Sequence, residues 1–142
     1  MGWLGNIFGP KGEKPTEVEQ RLAAELAQEI REKVFCGPGE GELELTGDTA
    51  KDAVPNFRWM HGKARDVVQG FRGRHPELPE RLRDAVEALH RSAARTTEIL
   101  APAAAMEDVK DHAELAGHMK KFLEELAVIG SVAQGKRWGA GT

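Results

Sequence analysis

The sequence predicts an all-α fold, an antiparallel four-helix bundle, and three observations carry that prediction. Ala, Glu, Leu and Arg dominate a 142-residue chain with no Tyr and only eight aromatics, a balance that favours helix over a β-sandwich or barrel. Apolar residues recur at steps of three and four through separate long segments, the period of helices that bury one face. The connections between the last three segments are short, which makes those helices antiparallel neighbours, while a longer loop lets the first helix close the fourth side. At this length the chain is one domain with a core of its own. Three stretches follow: an apolar N-terminal docking peptide and hinge (1–15), the bundle (16–134) and a flexible Gly-rich tail (135–142).

The first nine residues form the most apolar short segment, with Trp3, Leu4, Ile7 and Phe8 on one side of two helical turns. Two turns are not stable alone in water, because nucleation costs more than a few hydrogen bonds return. A partner surface must cover them: the bundle, another chain, or a lipid surface. Thr16 opens the first helix with Glu19 three residues on, the capping-box spacing, directly after Pro15. Val18, Leu22, Leu26, Ile30 and Val34 then step by four, a row that drifts roughly 40° per step and makes a slanting ridge. Gly37 and Pro38 end it.

Residues 37–55 are acidic and Gly-rich, and Asp48 is placed to cap a single turn before Pro55. No Lys-Ser/Thr follows the glycines, which argues against a phosphate-cradling loop. The second helix is expected over 56–72 with Asn56 as cap, and with Phe57, Met60, Ala64, Val67 and Phe71 inward. The third begins near Pro79 and buries Leu82, Ala85, Val86, Leu89, Ala93, Thr96 and Leu100 until Pro102 stops it. The fourth is read as 106–134, about seven turns. Its stripe is Val109, His112, Ala116, Met119, Leu123, Leu126 and Gly130, widened by Phe122, Ile129 and Ala133.

Several chemistries lose support at this level. The single Cys36 sits at a helix C-terminus, where the dipole raises a thiol pKa, and suits a reducing compartment. The only serines are Ser92 and Ser131, and no Gly-x-Ser-x-Gly occurs. No apolar run approaches a membrane span, and no basic-then-apolar leader opens the chain, so a cytoplasmic protein is expected. Position 6 is Asn6, which departs from a myristoylation motif.

Among the histidines, His112 lies on the expected stripe, and a tight turn after Leu100 sets residue 96 opposite it. A Thr96–His112 polar layer is therefore expected, fixing register in an apolar seam. A ferritin-like metal bundle is the sharper alternative, but Glu87-Ala-Leu-His90 is the sole Glu-x-x-His match. On the expected pairing His61 lies level with residue 89, roughly 10 Å from the His112 layer. No metal ligands or cofactors are assigned.

Charge offers another alternative. Residues 56–95 carry nine Lys or Arg against five acids, whereas residues 13–54 carry five against eleven. Arg72, Arg74, Arg81 and Arg83 are the candidate phosphate contacts for a nucleic-acid-binding subunit, unless they face the acidic first helix or loop. With no nucleic-acid motif and a net charge of −3, that reading is not favoured. The expectation is a non-enzymatic adaptor or small structural subunit with no small-molecule substrate. It would bind another protein chain or itself through Trp3, Leu4, Ile7 and Phe8, with at most weak contact to a membrane surface.

Overall fold

The computed structural model describes residues 12–139, and these fold into four α-helices joined by irregular segments. They are α1 (Glu17–Ile30), α2 (Thr49–Arg74), α3 (Glu80–Leu100) and α4 (His112–Ala133). Each helix packs on its sequence neighbours, and α4 returns to α1, which closes the bundle. Gly62 of α2 faces Thr97 of α3, and Arg95 of α3 bonds Glu114 of α4 at 2.7 Å. Both pairings run antiparallel.

Local chemistry explains where each helix starts. The Thr16 hydroxyl accepts from Glu19 N at 3.1 Å, and Glu19 Oε1 accepts from Thr16 N at 2.8 Å, the reciprocal box its spacing predicts. Leu22, Ala23, Leu26 and Ile30 are buried, whereas Val18 is 45% exposed, as a slanting row requires. The helix then widens into a π turn at Arg31–Phe35, closed by Cys36 N bonding Arg31 O. Wider winding offsets the drift of the four-residue row and keeps Val34 buried beneath Ile30.

The second helix differs from its expected 56–72. It begins at Thr49, because Asp48 Oδ1 accepts from Ala50 N and Lys51 N. It also runs straight through Pro55. Proline inside a helix removes one backbone bond and costs about 3 kcal/mol. Burial offsets that cost: Val54 is fully buried in a cluster with Leu100, Ala103, Val109 and Leu115. Asp52 reaches back to accept from Thr46 N and Oγ1 and from Gly47 N, at 2.8–3.0 Å, fixing the end of the loop. Arg58 donates to the carbonyls of Leu100 and Ala103, supplying at the C-terminus of α3 the cation its own last turn lacks.

The fourth helix also differs from its expected bounds. Met106–Asp108 is a separate 3-10 turn, and α4 starts at His112 with Asp111 accepting from Glu114 N at 2.9 Å. Its buried side chains are Leu115, Phe122, Ile129 and Val132: Phe122 and Ile129, expected to widen the stripe, are at its centre, and the expected main row lies one position further along. His112 and Ala116 are consequently exposed, and Leu123 is 58% exposed. The expected Thr96–His112 layer does not form. Thr96 is buried, but its hydroxyl donates to Ser92 O at 2.8 Å inside α3.

The buried histidine is His61. It is 1% exposed, Nδ1 donates to Phe57 O at 2.8 Å, and its ring lies 4.7 Å from that of Phe122. Burial pushes its pKa below the usual 6.5, so it sits in the core as neutral imidazole.

Candidate interaction surfaces

The two ends of the described chain meet at one corner. Gly135 adopts a φ of +76°, which turns the chain back at the end of α4 and lays residues 136–138 beside residues 12–14. Trp138 N donates to Glu13 O at 2.9 Å, and Arg137 Nη1 donates to Gly12 O at 2.6 Å. The tail expected to fray is therefore packed as far as residue 139, with Trp138 only 7% exposed.

A carboxylate at the centre of this corner holds it together. Glu19 is 3% exposed and receives Arg81 through Nε–Oε2 at 2.7 Å and Nη2–Oε1 at 2.9 Å. The indole N–H of Trp138 points to the same Oε1 at 3.5 Å, while the Arg81 guanidinium lies 5.0 Å from the centre of that ring. Arg81 also donates to Glu13 and to the Lys14 carbonyl. The bonds from Arg81 outweigh burial and, with those from Thr16 and Trp138, lower the Glu19 pKa from 4.5 to about 2. Sequence reading missed Glu19 and Trp138 as partners. A signal was present in Arg81, a cation in the first turn of α3, where the helix dipole disfavours positive charge unless a carboxylate compensates.

The four arginines grouped as phosphate contacts divide into two pairs. Arg81 is committed to Glu19 and Glu13, and Arg74 to Glu29 at 2.5 Å and Glu25 at 3.5 Å. These two do face the acidic first helix. Arg72 and Arg83 form no ion pair or hydrogen bond among the described residues. They line a common cleft of about 290 Å³ where α2 turns into α3, together with Gln69, His75, Leu78 and Glu87.

The acidic loop is tied to α2 as well, since Glu42 accepts from the Trp59 indole at 3.1 Å and lies 3.6 Å from Lys63 Nζ. Glu87 lines the arginine cleft and His90 is half-buried, with its pKa lowered by burial and then by Arg72 and Arg65. Among the described residues, no three His, Cys, Asp or Glu side chains are grouped so as to hold a metal ion.

The outward side of α4 is unusually apolar. Ala113, Ala116, Gly117, Leu123 and Ala127 are all exposed, broken by Lys120 and Glu124. No helix among the described residues is long and apolar enough to cross a membrane. Trp3, Leu4, Ile7 and Phe8 lie outside the described residues. Searches of family models, curated proteins and solved structures return no match to this chain.

Proposed function

We propose that this chain is a non-enzymatic binding module, an adaptor or small structural subunit of the cytoplasm. Its apolar N-terminal peptide docks on another protein chain or on a second copy of itself. The observation that carries this reading is the fixed root of that peptide. Gly12, Glu13 and Lys14 are bonded to Arg137, Trp138 and Arg81 on the packed corner of the bundle. An anchor held at a rigid base loses less freedom on docking than one at the end of a loose linker. Trp3, Leu4, Ile7 and Phe8 would each contribute about 1.5–3 kcal/mol on full burial, enough together for a specific contact.

Among the described residues, two apolar clusters between Leu22 and Trp138 form the core, and no buried side-chain polar atom lacks a partner. Deleting residues 1–9 is expected to leave the thermal melt nearly unchanged. The same deletion should abolish a concentration-dependent rise in mass measured by sedimentation, or the binding of a defined protein partner. A fall of many degrees in melting temperature would place the peptide in the core and sink the proposal.

A further inference from the structure

The cleft between the end of α2 and the start of α3 has the chemistry of a small-anion site. Its volume, about 290 Å³, lies at the lower edge of the range for organic ligands, so it suits a phosphate group better than a large molecule. Two neighbouring cations are accounted for, Arg74 by Glu29 and Glu25 and Arg81 by Glu19 and Glu13, and the His75 ring is bonded to Glu25 at 2.6 Å. Arg72 and Arg83, one from each wall, form no ion pair among the described residues. Arg72 is also half-buried, and among the described residues no carboxylate pairs with it to return the solvation that burial costs.

Arg72 also acts on a neighbouring side chain, His90 of α3. His90 is disfavoured as a cation by burial first, then by Arg72 and Arg65, with Asp66 opposing them. Two planar guanidinium forks and the Gln69 amide are donors that match the oxygens of a tetrahedral anion. Glu87 is the one acid in the lining, and it bonds neither arginine among the described residues. A carboxylate can only accept a hydrogen bond when ionised. It therefore repels a fully ionised sulfate but accepts from the P–OH of a protonated phosphate.

We propose that this cleft binds inorganic phosphate or a phosphate monoester, with Arg72 and Arg83 gripping its oxygens and Glu87 selecting the protonated oxyanion over sulfate. This site is independent of the N-terminal anchor. It narrows the basic segment to two residues that recognise one phosphate group rather than a nucleic-acid backbone.

The test follows the His90 imidazole resonances of the full chain during titration with sodium phosphate, at an ionic strength held constant with chloride. Phosphate is expected to bind saturably and to raise the His90 pKa, since an anion beside Arg72 offsets its field. Arg72→Gln and Arg83→Gln should each weaken binding about tenfold or more, as loss of a charge-assisted fork requires. Sulfate should bind more weakly than phosphate, and Glu87→Gln should remove that preference. All three side chains line an open cleft, and unchanged helical circular dichroism would confirm that each variant folds. A phosphate monoester such as glycerol phosphate, run alongside, separates a free-ion site from a ligand-headgroup site; saturable binding of either fits. Absence of saturation, or binding that survives Arg72→Gln and Arg83→Gln together, overturns the proposal. So does binding of a short RNA that excess phosphate leaves intact, because that would mark an extended polyanion surface.

Discussion

Glu19 and Arg81 meet through two parallel bonds, 2.7 and 2.9 Å long, across sixty-two residues of sequence. The same carboxylate caps α1 through Thr16 N. One side chain therefore fixes where α1 starts, where α3 starts, and where the tail returns. Replacing Arg81 by Met leaves a buried carboxylate without its partner, so a loss of about 3 kcal/mol is expected. Urea unfolding at neutral pH measures it, and a loss under about 1 kcal/mol would show the pair to be only superficial.

The acid limb of stability carries the same contact. The folded pKa of Glu19 is depressed from 4.5 to about 2. Its contribution is therefore complete above pH 4.5 and is lost as pH falls from there towards 2. A shift of that size corresponds to about 3 kcal/mol. The Glu19→Gln variant should thus be weaker at pH 6 but lose less stability on acidification than the parent. Parallel acid limbs would contradict this.

Trp138 should behave as part of the fold although it stands four residues from the end of the sequence. It is buried against Arg81 and Glu19, so Trp138→Ala is expected to cost about 2–3 kcal/mol, somewhat less than a tryptophan deep in a core. Trp138→Phe should recover most of the packing but not the indole bond to Glu19. If truncation after Gln134 left the urea midpoint untouched, the corner would not contribute to stability.

Pro55 is a local defect that the fold tolerates. The ring occupies the seventh residue of α2, counted from Thr49, where an N–H would otherwise bond the Lys51 carbonyl. Pro55→Ala restores that bond and relieves the ring, at the expense of a freer unfolded chain. A net gain of about 1–2 kcal/mol is expected, read as a higher urea midpoint. A loss would mean that the proline is needed for the packing of Val54.

These residues show which parts of the fold a sequence exposes. The Thr16–Glu19 box is legible because both partners lie within one turn, and Leu82 through Leu100 are legible because one face dominates α3. The start of α2 was hidden because Pro55 is a strong local stop signal, whereas tertiary burial of Val54 decided the matter. The face of α4 was ambiguous because apolar residues line two adjacent rows. One contains Ala116, Leu123 and Gly130, and the other Leu115, Phe122 and Ile129. Shape decided between them, since Phe122 fills the centre beside His61 while Leu123 faces outward. Taking α4 back to residue 106 also placed His112 mid-helix, whereas it occupies the first turn. The corner of Glu19, Arg81 and Trp138 has no period at all. It joins residues up to 119 apart, and only the unfavourable position of Arg81 on the helix dipole hinted at it.

His61 supplies a pH dependence separate from that of Glu19. Its folded pKa lies below 6.5 because burial disfavours the imidazolium, a cost partly offset by the bond to Phe57 O. A depressed value means that its contribution is intact above pH 6.5 and declines as pH falls through 6.5, where the unfolded chain takes up a proton more readily. The rings of Phe57 and Phe122 provide no charge to compensate one forming between them. Between pH 7.5 and 5.5, above the range in which ordinary carboxylates titrate, the melting temperature should fall by a few degrees. His61→Phe is expected to reduce that fall, leaving the part due to His90, whose pKa is also lowered by burial. The substitution would also cost stability at pH 7.5, because a larger ring must fit between Phe57 and Phe122. The slope, not the absolute stability, is therefore the readout, and an unchanged slope in the variant would assign the pH dependence to another group.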